Sequence, residues 1–354
     1  MSVLDLARAD IRALAGYSSA RMEASGGTVL LNANESARPP SFPGGNGLNR
    51  YPDPQPRALV ETLAELYGST PDRVLVTRGS DEAIDLLTRA FCRAGQDGIV
   101  ISPPTFGMYA VCARIQGAAV VEAPLEADGS LDVDKLIAAV TPGTRLVYVC
   151  TPNNPTGNLV TLETLERIAK ALQGRALLVV DEAYAEFAGA HSATELIDTY
   201  DHVAVLRTLS KAWSLAGARV GTLVAHADVI SLLRRIIPPY PLPSPCVDAA
   251  LAALSYEGRR VQRHHVHEVL NERARMSGAL AALSGVREVL PSHANFFAVR
   301  FDDAAGTYRR LLAAGVVVRD ITKYPGLGDA LRITIGTGNE NDRVLAVLRA
   351  GASA

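Results

Sequence analysis

Between Asp72 and Ala225 the chain repeats one pattern: a short unbroken apolar run, a longer amphipathic stretch, then another apolar run. The runs are Val74-Leu-Val, Gly98-Ile-Val-Ile, Ala119-Val-Val, Leu146-Val-Tyr-Val, Leu177-Leu-Val-Val, Val203-Ala-Val-Leu and Thr222-Leu-Val. A strand with one wet face alternates polar and apolar residues, whereas a strand covered on both faces does not. The pattern therefore predicts an α/β fold with a mostly parallel seven-stranded sheet sandwiched by helices. In such sheets ligands bind beyond the carboxyl ends of the strands, so the residues just after each run carry the expected chemistry.

Two of these strand ends are dense in reactive groups. After Leu206 comes Arg207-Thr-Leu-Ser-Lys-Ala-Trp-Ser-Leu-Ala-Gly-Ala-Arg-Val-Gly, which sets Lys211 beside Thr208 and Ser210 and ahead of Arg219. A lysine where a buried strand becomes a loop can be partly desolvated and deprotonated, the state that forms an imine with a carbonyl. The hydroxyls and Arg219 suit a phosphate, and pyridoxal phosphate joins an aldehyde to a phosphate. Alone, Lys211 reads as a surface lysine before a small-residue turn; groups elsewhere reverse that. The run ending at Val180 delivers Asp181-Glu-Ala-Tyr. A carboxylate there needs a cation, since burying it unpaired is costly. A pyridinium N–H would serve, with Tyr184 reaching the same ring's oxygen or the imine.

The remaining strand ends add weaker signals. Gly79, Ser80 and Asp81 open a helix whose free N–H groups favour an anion, although an ordinary capped helix start explains them too. Phe106, in Pro103-Pro-Thr-Phe-Gly-Met-Tyr, can stack on a flat ring or pack in a core. Asn154, in Cys150-Thr-Pro-Asn-Asn-Pro-Thr-Gly, can donate an amide hydrogen bond from a rigid turn. Tyr51, in a proline-stiffened segment, reads as a packed aromatic. Arg319 and Arg332 emerge from apolar strands, and Arg332, between Leu331 and Ile333, needs an anion, with a structural Asp or Glu as the ordinary partner. Three histidines, His264, His265 and His267, lie among arginines and glutamates at helical spacing; a solvated helix face accounts for them, and no metal site is expected.

The chain of 354 residues is long enough for a large core and two domains. The expected division is an amino-terminal arm with part of the small domain (1–45), a large domain (46–242) and a small α+β domain (243–354). A net charge of -2 gives no reason to expect a nucleic acid or membrane partner. The first residues lack a signal-peptide core, and the four scattered cysteines read as the reduced thiols of a cytoplasmic protein. Helices are expected over Asp5 to Leu14, Arg57 to Tyr67, from after Ala225 to about Ile237, and from about Cys246 to Leu283.

The Lys211 and Arg219 run, Asn153-Asn-Pro-Thr-Gly and Asp181-Glu-Ala-Tyr, at these intervals, resemble the fold-type-I pyridoxal-phosphate aminotransferases. Gly16-Tyr-Ser-Ser-Ala-Arg, Arg50-Tyr-Pro-Asp-Pro-Gln-Pro, Pro238-Pro-Tyr-Pro-Leu and Leu331-Arg-Ile-Thr-Ile-Gly extend the resemblance over nearly the whole chain, toward the branch that transaminates histidinol phosphate. The resemblance implies that Lys211 binds the cofactor aldehyde, Asp181 pairs with the ring nitrogen, and Asn154 and Tyr184 contact the ring oxygen. It assigns the phosphate to Ser80, Asp81, Thr208, Ser210 and Arg219. Tyr51 would reach the cofactor phosphate of a neighbouring subunit, which makes the chain a homodimer. Arg319 and Arg332, with Tyr17, would receive the substrate phosphate, and Arg332 also the carboxylate of glutamate. One departure is Phe106, where the family usually carries tyrosine. An aromatic amino-acid aminotransferase, a threonine-phosphate decarboxylase of the same fold, and a non-catalytic cofactor-binding regulator are the alternatives.

Overall fold

The computed structural model describes residues 2–17 and 29–352. Residues 18–21 of the Gly16 motif lie outside this set. Seven strands form the larger sheet: β1 (Val74–Thr77), β2 (Gly98–Ile101), β3 (Ala119–Glu122), β4 (Thr144–Cys150), β5 (Leu177–Asp181), β6 (Val203–Thr208) and β7 (Gly221–Ala225). Their order is β1-β7-β6-β5-β4-β2-β3. All pairings are parallel except those of β7, which runs antiparallel to both β1 and β6. Each expected apolar run is a strand of this sheet.

The reason for the unbroken apolar runs is visible in β5. Leu178 and Val180 enter the core on one face with Leu165, Ile168 and Leu172, while Leu177 and Val179 enter the core on the other with Ile84, Leu87 and Phe91. All four β5 side chains are fully buried. Each contributes about 1.5–3 kcal/mol by leaving water, so neither face tolerates a polar residue until the strand ends at Asp181. Exposure in this sheet is concentrated in β3, one of its two edge strands, with Arg145 of β4 half-buried.

A second sheet, ordered β10-β11-β9-β8 and antiparallel throughout, comprises β8 (Val286–Val289), β9 (Phe296–Phe301), β10 (Arg319–Asp320) and β11 (Ala330–Thr334). Its core is separate and includes Phe297, Val299, Phe301, Leu311, Leu331, Ile333 and Leu345.

Three helix expectations need correction. The Asp5–Leu14 segment splits into a 3-10 turn, Val3–Leu6, capped by Ser2, and a short helix, Ala9–Ala13. Val3 and Leu6 are buried against the large core, which anchors the amino terminus there. The helix after β7 stops at Leu233 rather than near Ile237. The long carboxyl-terminal helical region is two helices, Ser244–Leu254 and Tyr256–Ala281. Ser255 breaks it by adopting extended backbone and accepting a hydrogen bond from the Gly258 amide at 3.2 Å. Gly258 is needed there, since a Cβ would meet the Ala253 carbonyl oxygen at 2.2 Å. His264, His265 and His267 are exposed on the second helix. Among the described residues no helix is long and apolar enough to cross a membrane, and all four cysteines are unpaired.

A buried ionic knot ties the end of β5 to that of β6. Arg207 donates to Glu182 at 2.8 Å and Glu186 at 2.9 Å and lies over the Tyr67 ring at 4.7 Å. Glu182 also accepts from Ser192 and the Ala193 amide, both at 2.6 Å, and Glu186 from the Trp213 indole at 3.3 Å. Arg207→Met is expected to destabilise the fold by about 3–5 kcal/mol, because two carboxylates lose their buried cation. Chemical denaturation measures this; a loss under about 1 kcal/mol would show that the knot contributes little.

Candidate active site

Five strand termini converge at one edge of the large sheet. Parallel pairing sets Cys150 beside Asp181 and Asp181 beside Leu206; antiparallel pairing sets the start of β7, Gly221, beside both Thr77 and Thr208. Above them lies a cleft of about 450 Å³ whose far wall is the small sheet. Ser80, Asp81, Phe106, Asn154, Asp181, Tyr184, Thr208, Ser210, Lys211, Arg219, Arg319 and Arg332 all line it. Residues spread over more than 250 positions of sequence thus share one space.

One end of the cleft is an anion cradle. Thr208 donates its hydroxyl to Ser210 Oγ at 3.0 Å, and Arg219 donates to the same Ser210 oxygen at 3.3 Å and to Asp81 Oδ2 at 3.3 Å. The helix Ser80–Phe91 begins here, so its first amides point at the same spot. Two glycines allow the approach. A Cβ on Gly79, whose φ is 75°, would meet the Arg219 guanidinium at 2.5 Å, and one on Gly221 would meet the Gly79 backbone at 2.2 Å. Charged hydrogen bonds contribute about 1.5–3 kcal/mol each, so three or four reach the roughly 8 kcal/mol of micromolar binding.

At the floor sits Asp181, 2% exposed. Burial pushes its carboxyl up to about 6, against hydrogen bonds from the Tyr109 hydroxyl at 2.6 Å and the Ala183 amide at 3.1 Å. Across from it Lys211 lies over the Tyr184 ring at 5.6 Å. Burial and the nearby Arg332 charge lower the Lys211 pKa, with Asp81 opposing them. Asn154 donates to the Tyr184 hydroxyl at 3.3 Å. Phe106 is half-buried and meets the Tyr109 ring edge-on at 5.6 Å.

The far wall carries two arginines that form no ion pair with a carboxylate among the described residues. Arg319 and Arg332 are directly opposed across β10 and β11, and like charges so placed oppose strand pairing. Arg332 donates to the Asn154 carbonyl oxygen and lies over the Phe296 ring at 5.2 Å, yet its buried Nε has no partner among the described residues. Among the described residues no Asp or Glu pairs with Arg332, the ordinary partner that sequence alone would supply. An anion entering the cleft would offset the two opposed charges.

Two candidate residues lie elsewhere in this chain. Tyr51 stacks on Tyr240 at 4.5 Å on an exposed face, and Tyr17 is 71% exposed; neither lines the cleft. Sequence reasoning overlooked Tyr109, the side-chain donor to Asp181, and Tyr324, which lines the cleft between the two arginines in sequence.

A large mostly parallel sheet, a lysine facing a buried aspartate and an anion cradle at a helix start together define a fold-type-I pyridoxal-phosphate-dependent protein. The family model for aminotransferase class I and II matches residues 30–348, and the chain belongs to that family. It is 53% identical over 354 residues to a histidinol-phosphate aminotransferase of Xanthomonas axonopodis pv. citri, covering 98% of this chain and 97% of that one. The corresponding protein of Stenotrophomonas maltophilia is 53% identical over 357 residues, covering 99% and 98%. Among solved structures, histidinol-phosphate aminotransferase from Sinorhizobium meliloti in complex with pyridoxal-5'-phosphate superposes with a TM-score of 0.78 at 29% identity, covering 86% of this chain and 83% of that one.

Proposed function

We propose that the chain transfers an amino group between histidinol phosphate and 2-oxoglutarate, as the name shared by its full-length relatives describes, with pyridoxal 5'-phosphate as cofactor. The observation that carries this is Arg332, which makes no ion pair with a carboxylate among the described residues, opposed to Arg319 in the wall of a cleft that also holds Lys211 and Asp181. One substrate is a phosphate without a carboxylate and the other a carboxylate without a phosphate. A planar guanidinium addresses either anion bidentately, so Arg332 serves both, with Arg319 adding charge for the phosphate.

Pyridoxal phosphate, when bound, supplies an electron-accepting ring conjugated to its aldehyde carbon. The Ser80 and Asp81 amides, Thr208, Ser210 and Arg219 would hold its phosphate, and Phe106 would cover its ring. Asp181 would keep the ring nitrogen protonated, while Asn154 and Tyr184 would meet the ring oxygen. Lys211 would serve the aldehyde carbon and, as a free amine, carry the proton of the substrate Cα. Its lowered pKa suits that role, because a base must be unprotonated near the working pH.

The second subunit enters through Tyr51. The exposed Tyr51–Tyr240 stack, with Leu31 and Phe42 also exposed, supports a homodimer in which Tyr51 reaches the partner's cofactor phosphate and Tyr17 the substrate. Residues 46–242 form the cofactor domain and 243–354 the substrate-facing one. Four unpaired cysteines are consistent with a cytoplasmic enzyme.

Purified enzyme mixed with glutamate and imidazole-acetol phosphate is expected to yield 2-oxoglutarate and histidinol phosphate. Release of carbon dioxide, or a preference for phenylalanine over histidinol phosphate, would replace this assignment by a decarboxylase or an aromatic aminotransferase. Arg319→Ala is expected to raise KM for the phosphate substrate by about 10–100-fold while leaving that for glutamate within about twofold. Equal losses on both substrates would contradict the division of labour.

A further inference from the structure

Tyr109 is a large, fully buried side chain beneath the cleft floor, bonded to Asp181, that the transamination chemistry above does not use. It lies on the helix Met108–Gln116, with its ring stacked on Tyr148 at 4.5 Å and 12°. Its hydroxyl donates to Asp181 Oδ2 at 2.6 Å. The only other hydrogen bond to this carboxylate among the described residues is the Ala183 amide on Oδ1. No arginine, lysine or histidine bonds to Asp181, so a neutral phenol does the work of a cation there.

We propose that Tyr109 is a positioning residue that holds Asp181 ionised and fixed in orientation, and so sets how firmly the cofactor's ring nitrogen keeps its proton. This rests on the cleft being a pyridoxal-phosphate site. The Tyr148 stack fixes the ring plane, and the hydroxyl lies between Asp181 and the Cys150 thiol. Burial and the Asp181 charge raise its own pKa well above the ordinary value, so it remains a donor.

The groups facing Asp181 are few. From β4 comes the Cys150 thiol, itself pushed up by burial, with Tyr148 behind it. Asp81, at the start of the helix Ser80–Phe91, and Glu182, next in the chain, both favour protonation of Asp181. Glu182 is neutralised by Arg207. Lys211 faces Asp181 across the cleft, where the carboxylate charge favours the protonated amine. The Tyr109 hydroxyl is the largest influence opposing burial. Loss of this one bond should therefore move the carboxyl toward its neutral form, which no longer stabilises a protonated ring nitrogen.

The experiment titrates the apoenzyme with pyridoxal phosphate across the pH range around 6 and follows quenching of Trp213, the only tryptophan, two residues from Lys211. Wild-type affinity is expected to fall as the pH drops through about 6. Tyr109→Phe should shift that midpoint upward by about one pH unit. In the same variant kcat should fall roughly tenfold, with KM for glutamate nearly unchanged. Tyr148→Phe keeps the stack, and its hydroxyl lies near Thr88 at 3.5 Å rather than Asp181; it should leave the midpoint in place. An unshifted Tyr109→Phe midpoint, or an equal shift in Tyr148→Phe, would overturn the proposal. If Tyr109→Phe does not fold, 3-fluorotyrosine at position 109 keeps the ring and strengthens the donor. The midpoint should then move down, and a rise or no change overturns the proposal. Wild-type protein that binds no cofactor at Lys211 would overturn the functional assignment and this proposal together, a result distinguished by borohydride labelling of the wild type.

Discussion

Lys211→Ala is expected to bind pyridoxal phosphate through the phosphate cradle and to turn over almost nothing. Two losses combine. The proposed link between the lysine and the cofactor aldehyde would be lost, and no amine would remain above the Tyr184 ring to carry the Cα proton. Positioned acid–base transfer alone typically supplies about 10²–10⁴-fold, so kcat should drop by at least that range. The cradle residues Thr208, Ser210 and Arg219 are untouched, which keeps cofactor affinity measurable. Single-turnover absorbance with glutamate reads the chemical step directly. Retention of more than about a tenth of the wild-type rate would remove Lys211 from the chemistry.

The second large effect concerns Asp181. Asp181→Asn keeps the shape of the side chain but removes its charge at the end of β5, where the carboxylate is buried and bonded, among the described residues, to Tyr109 and Ala183. A preorganised charge in a water-excluded site is typically worth about 10²–10³-fold in kcat, and a loss of that order is expected. The Asp181 share of the pH dependence of cofactor affinity near 6 should also disappear, leaving that of the cofactor's own phosphate. The sign is set by burial: the free carboxyl is ionised above about 6 and neutral below, so wild type gains affinity as pH rises through that value. Asp181→Asn with wild-type kcat would show that the ring nitrogen needs no carboxylate.

Much of this architecture could be read from the residues because its causes are local or periodic. Leu177-Leu-Val-Val has to be a doubly covered strand, and the first polar residue after it, Asp181, has to mark the strand's exit. Ser80, Thr208, Ser210 and Lys211 followed from the same logic at neighbouring strand ends. What escaped depended on contacts between distant segments. The reversed direction of β7 leaves no trace in its composition. β8 reads Val286-Arg-Glu-Val, too short and too polar to stand out, and is a strand because β9 offers it an edge. The break at Ser255 was legible in principle from a serine with glycine three residues on, but the surrounding helical composition masked it. Tyr109 was quoted within a motif, yet nothing local says that its hydroxyl meets a carboxylate 72 residues away. Arg332 shows the opposite case: its need for an anion was evident from its apolar neighbours, and the fold leaves that need to a ligand.

Borohydride reduction of the native, cofactor-loaded enzyme followed by peptide mapping bears most directly on the central claim. The chain has only four lysines, Lys135, Lys170, Lys211 and Lys323, and only one of them lines the cleft that holds Asp181. The expected result is a stable secondary amine confined to the peptide containing Lys211. Label on Lys135, Lys170 or Lys323 instead, or on no lysine at all, would contradict it.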